Sequence, residues 1–223
     1  MSEARESGAA QVNTTDLVLA HRLFRKEFAA VPGLVRRVPA GDKARAGTVG
    51  AHLAGLLHML DDHHKAEDEI VWPRLNSDTD VPPTTMRRME EQHERIAEDL
   101  EEIERLLPVW RESAAPEAGD RLAAAVATMT PALAEHLDDE EKLVLPLVHG
   151  RFTQREWDRL SERGRDAVPK NKQIYMLGEL LASADDQQRA DYMRRLPPPV
   201  RLLWPVVGRL VHRRQYRALH GAA

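Results

Sequence analysis

Apolar positions recur every three or four residues through four long stretches of this chain, and proline- or glycine-rich breaks separate the stretches. The first opens after Thr14 or Thr15 as N-cap and carries Leu17, Val18, His21, Phe24, Arg25 and Phe28. Pro32-Gly33 reads as its stop and Pro39-Ala40-Gly41-Asp42 as a loop. The second predicts a helix from about Thr48 to Trp72, with Leu53, Leu56, Leu60, His63 and Glu67 facing inward. Pro73 ends or kinks it, because proline has no amide hydrogen and crowds the preceding turn. After a turn-rich link over residues 76–83, the third runs from about Thr84 to Trp110. Met86, Met89, His93, Ile96, Leu100, Ile103 and Leu107 share one of its faces. Residues 113–119 break the chain again. The fourth spans about Asp120 to Leu147, with a bend expected at Pro131. Leu122, Val126, Met129, Leu133, His136, Glu140 and Leu143 form its inner face. Four amphipathic helices with short links predict an all-α, up-down-up-down four-helix bundle over residues 14–150, behind a flexible N-terminus of residues 1–13.

Residues 151–223 follow another plan. Thr153 caps a short helix around Glu156 to Arg165, a second lies near Asn171 to Ala182, and Ser183 or Asp185 caps a third that ends before Pro197. A last helix places Leu203, Trp204, Val207, Leu210 and Val211 on what reads as a packing stripe. This is a helical C-terminal extension with no motif that carries chemistry.

Charge sharpens the division. Residues 194–223 hold seven arginines and no acid, which leaves the rest of the −4 chain at −11. An acidic body with a basic tail points to the tail docking on the body, or to an anionic partner. No motif marks a nucleic-acid or membrane partner. Met1 to Gln11 has no apolar core for a secretory signal, and a cytoplasmic protein is expected. The chain has no cysteine, which excludes disulfides, thiolate metal sites, iron–sulfur clusters and thiol catalysis. Histidines and carboxylates are the available ligands.

Those ligands are duplicated. His63-His64-Lys65-Ala66-Glu67-Asp68-Glu69-Ile70-Val71-Trp72-Pro73 recurs 73 residues later as His136-Leu137-Asp138-Asp139-Glu140-Glu141-Lys142-Leu143-Val144-Leu145-Pro146. A further histidine precedes each copy by almost the same distance: His21 lies 42 residues before His63, and His93 lies 43 before His136. Residues four apart share a helix face, so His63 with Glu67 and His136 with Glu140 project together. With His21 and His93 they can meet at one depth of a bundle. Such nitrogen and oxygen donors suit iron, manganese or zinc. A buried hydrogen-bond network is the bland alternative, but it leaves several carboxylates without counter-charge. His52 and His58 have no counterpart in the second copy. Asp61, Asp62, Asp68, Glu69, Asp138 and Asp139 read as a solvated face.

His21, His63-x-x-x-Glu67, His93 and His136-x-x-x-Glu140, each helical motif continuing into an apolar triplet and Pro, resemble the hemerythrin-like (HHE) family of non-haem diiron proteins. The resemblance covers about residues 14–148. It implies two iron ions with an oxo or hydroxo bridge. His21 and His63 would hold one, His93 and His136 the other, and Glu67 and Glu140 would bridge them. Oxygen-carrying members place a further histidine four residues after the third-helix histidine. Here that position is Ala97, which implies a missing ligand, with His64 and Glu141 as neighbours able to substitute. The resemblance implies binding or sensing of O2, NO or peroxide, or redox turnover of peroxide or nitric oxide. An iron-responsive interaction protein is the third reading. No residue pattern makes a case for an organic substrate pocket, and whether the protein is an enzyme stays open.

Overall fold

The computed structural model describes residues 11–221, so residues 1–10 of the expected N-terminal segment lie outside the described part. Four long helices are α1 (Thr15–Arg36), α2 (Lys43–Ala66), α3 (Pro83–Ser113) and α4 (Pro116–Asp139). Each packs on its two neighbours, α1 on α2, α2 on α3, α3 on α4 and α4 back on α1, which closes the bundle. No strand occurs among the described residues. The core runs along the shared axis through Phe28, Leu53, Leu56, Ile103, Leu122 and Val126, all buried.

Several helix ends fall elsewhere than the sequence pattern predicts. Helix α1 passes through Pro32 to Arg36 instead of stopping there, because Val31, Leu34 and Val35 are buried and their packing outweighs one missing amide. Helix α2 starts at Lys43, where the side chain of Asp42 accepts the Arg45 N–H at 2.9 Å. The break before α4 is two residues long, since Pro116 sits in the first helical turn, where its missing N–H costs nothing.

Helices α2 and α4 each widen at the same point of the repeat. Helix α2 continues as a π turn, Glu67–Val71, into a short end, Trp72–Asn76; α4 continues as a π turn, Glu140–Val144, into Leu145–Val148. The Trp72 N–H reaches back to the Glu67 carbonyl, and the Leu145 N–H to the Glu140 carbonyl. The next residue in each case is proline, whose ring would collide with the carbonyl four residues earlier; one extra residue in the turn relieves this. The extra residue also rotates the remainder of the helix. Leu143, expected inside, is exposed, and Val144 is buried in its place.

The remaining helices are α5 (Gln154–Ala167), α6 (Gln173–Ser183), α7 (Asp186–Arg195) and α8, which runs as Pro198–Leu203, a π turn Trp204–Gly208, and Arg209–His220. Thr153 and Asp185 head α5 and α7 with full capping boxes. Helix α5 lies on α2, α6 on α1, and α8 on α6. A buried polar network ties this extension to the bundle: His52 Nε2 is 2.9 Å from Glu27, and Tyr175 donates to Glu27 at 3.2 Å and contacts His220 Nε2 at 3.1 Å. Helix α8 corrects the packing stripe read from the sequence. Trp204 is buried, whereas Leu203, Val207 and Leu210 are exposed. The π turn puts Trp204 and Gly208 on one side, with the indole against the glycine.

Candidate metal centre

All six side chains singled out by the repeat come together in the bundle interior, and a seventh joins them. His21, His63, Glu67 and Glu140 form one group, and His64, His93 and His136 another; within each, donor atoms lie within 4.8 Å of one another. Glu67 spans the two groups. Its Oε1 is 3.2 Å from His63 Nε2, and its Oε2 is 3.5 Å from His93 Nε2. Glu140 also faces both, with Oε2 at 3.2 Å from His21 Nε2 and 4.0 Å from His136 Nε2. The His64 ring stacks on His93 at 4.2 Å and meets His136 edge-on at 5.0 Å.

The presence of His64 has a geometric cause. Successive helical residues are about 100° apart. In a bundle the two neighbours of one helix also lie about a right angle apart, so His63 serves the α1 side and His64 the α3 side. The missing-ligand reading needs a matching correction. Ala97 lies on the exposed face of α3, beyond the buried Ile96, and a histidine there would face water.

Outer partners fix the imidazoles. Asp68 Oδ1 lies 2.8 Å from His93 Nδ1, Glu141 Oε1 3.0 Å from His21 Nδ1, and Gln92 Oε1 3.3 Å from His136 Nδ1. Arg25 holds Glu141 at 2.8 Å and Asp138 at 2.7 Å. An Nδ1–H donated outward leaves the Nε2 lone pair aimed at the centre. Asp68 is half-exposed, and a solvated-face reading of the sequence misses its role. Its position directly after Glu67 is the available signal, since adjacent residues serve adjacent directions here too.

His93 Nε2 and His136 Nε2 lie 3.2 Å apart, within hydrogen-bond reach of each other, but most of the other interior donor atoms make no hydrogen bond. His21 Nε2, His63 Nε2, His64 Nε2, both oxygens of Glu67 and Oε2 of Glu140 are buried without a hydrogen bond. Buried polar atoms are ordinarily paired, so this concentration of unpaired acceptors fits a cation. The charges are arranged accordingly. Burial alone would lower the pKa of His21, but Glu140 and Glu141 push it up to about 9. Asp68 and Glu67 likewise overcome burial and raise His93 to about 9. Burial holds His63 and His136 down to about 3 and His64 well below its ordinary value. Burial and the Glu140 charge push Glu67 up, while His21 overrides burial to pull Glu140 down. The protein alone thus meets its inner carboxylates with protons and imidazolium.

Leu17, Phe24, Leu60, Ile96, Leu133 and Leu137, each within four residues of a cluster histidine along its helix, are buried, and the Trp72 ring packs 5.5 Å from His93. One side is open. A cavity of about 420 Å³ between α1, α2 and the extension reaches His63, whose side chain is 11 % exposed. Leu23, Phe24, Met59, Trp157, Leu160 and Leu177 make most of its wall apolar.

A family model described as Hemerythrin HHE cation binding domain matches residues 12–148. Comparison with curated proteins and with solved structures gives no match.

Proposed function

This chain belongs to the hemerythrin HHE cation-binding domain family, and from that premise we propose that it holds two iron ions and binds or senses a small apolar ligand, O2 or NO. The supporting observation is the set of seven inward side chains, five of which bury donor atoms that make no hydrogen bond. In this reading His21 and His63 hold one ion, and His64, His93 and His136 hold the other. Glu67 and Glu140, each facing both histidine groups, would supply the carboxylate oxygens. Five imidazoles and two carboxylates suit iron in a nitrogen-rich setting. An iron pair so held supplies reversible or redox binding of a diatomic ligand.

The chain's own residues set the rest. Asp68, Glu141 and Gln92 orient three of the rings, and the aliphatic wall excludes water and limits proton delivery. The apolar cavity at His63 offers a path suited to O2 or NO. Peroxide is polar and its reduction consumes protons, so turnover of peroxide is the second reading.

Protein expressed with ample iron is expected to carry about two irons per chain. Glu67→Ala and Glu140→Ala should lose metal, while His212→Ala, remote from the cluster, should keep it. Equal metal content in all three variants would sink the assignment. Mixing the reduced protein with O2, NO or peroxide then separates a stable adduct from turnover.

A further inference from the structure

Helix α8 is held in a fixed orientation. Trp204 packs in a cluster with Leu19, Leu181 and Tyr192, and Leu219 reaches the bundle core. His212 Nε2 meets Glu179 at 2.7 Å, and Arg45 donates to the carbonyls of Ala218 and Leu219. Directly opposite this anchored side, Leu202, Val206 and Leu210 point outward at 75 %, 74 % and 70 % exposure. Spaced by four, they form one stripe along the helix. Leu203 and Val207 widen it on one flank, and all five are exposed large aliphatic residues.

The charge along this helix has one sign. Arg201, Arg209, Arg213, Arg214 and Arg217 lie along the same helix, all exposed, and none has a carboxylate within 4 Å among the described residues. No acid occurs from residue 194 onward. The arginines are therefore not spent on the acidic body, apart from Arg194 with Asp191 and Arg195 with Asp16.

A second copy seated on the same face would bring two arginine-bearing helices together, with no acid on either helix to pair them. A nucleic-acid backbone would find aliphatic side chains at the centre of the face. An anionic lipid surface satisfies both features, because aliphatic residues enter the acyl boundary while arginine heads stay at the phosphates. No helix among the described residues is long and apolar enough to cross a membrane, so the contact lies in the surface plane. We propose that α8 is a peripheral docking face for an anionic lipid surface. This goes beyond the metal-centre reading and does not rest on it.

Vesicle co-sedimentation of the full chain tests the proposal. The protein should sediment with vesicles containing phosphatidylglycerol, release at high salt, and stay in solution with pure phosphatidylcholine vesicles. The triple variant Leu202→Ser, Val206→Ser, Leu210→Ser should bind at least about tenfold more weakly. Each of Arg209→Gln, Arg213→Gln and Arg217→Gln should weaken binding about fivefold. All six positions are exposed, so melting temperature and iron content should not change. Binding undiminished in the triple variant, or no sedimentation with phosphatidylglycerol vesicles, overturns the proposal. A concentration-dependent dimer that the serine variant abolishes, without lipid binding, assigns the face to a second copy and also overturns it.

Discussion

If the cluster holds two metal ions as proposed, removing one half-exposed carboxylate outside it should weaken one position and spare the other. In Asp68→Ala, His93 Nδ1 loses its acceptor at 2.8 Å. The ring is then free to turn, and its Nε2 becomes a poorer donor. Loss of such an outer partner costs about 10- to 100-fold in metal affinity, which corresponds to about 1.4–2.8 kcal/mol. Asp68 is 50 % exposed and bonds nothing else among the described residues, so the metal-free fold should lose only the bond to His93, about 1 kcal/mol. Metal-dependent stabilisation falls by the same free energy as the binding. For a domain of this size that shrinks the metal-induced rise in melting temperature by roughly 3–10 °C. Anaerobic titration with ferrous ion against a chelator of known affinity reads the loss directly. The weakened equivalent should be the one near His64, His93 and His136. Asp61→Ala is the control on the same helix, since among the described residues Asp61 pairs only with Lys65, at 2.6 Å. Asp68→Asn keeps an acceptor oxygen and should lie between. If Asp68→Ala binds both equivalents as tightly as Asp61→Ala, the outward hydrogen bond does not tune the centre.

Two further expectations concern the cluster and the junction. His64→Ala should reduce bound iron from about two to about one per chain, and adding Ala97→His should restore nothing, because position 97 faces water; recovery of the second iron would refute the placement of His64. At the bundle–extension junction, burial pushes the Glu27 pKa up, but His52 and Lys26 pull it below the ordinary 4.5. A lowered carboxylate stabilises the fold fully above its unfolded value and loses that contribution as pH falls through its folded value. Glu27→Gln should therefore be about 1–3 kcal/mol less stable at neutral pH, with the gap narrowing as acid is added below about pH 4.5. Unfolding curves that stay parallel across that range would remove the role given to the charge.

The bundle is legible in the sequence because each long helix keeps a regular apolar face. His93, Ile96, Leu100 and Ile103 show it on α3 without interruption. The ligand cluster is legible because the repeat doubles it. Three features are not. His64 ranks low when a helix is viewed alone, with one inward direction, whereas a bundle helix has two neighbours to serve. Leu143 and the Trp204 stripe are misplaced by periodicity because a π turn adds one residue, and an unbroken period of 3.6 cannot show that. The cavity at His63 belongs to no segment, since α1, α2 and the extension each supply part of its wall. The π turn of α8 differs from the other two in its proline. Pro205 stands second in the widened turn, whereas Pro73 and Pro146 come just after theirs, so the steric cause given for those two does not extend to it.

The shared wall of that cavity carries a consequence for how such chains diversify. Trp157, Leu160 and Leu177 stand outside the four-helix unit, yet they bound the approach to His63. Under the proposed function, selectivity at the cluster can therefore drift through changes in the appended helices alone, with every cluster side chain left untouched. Two chains with identical ligand residues need not admit the same visitor.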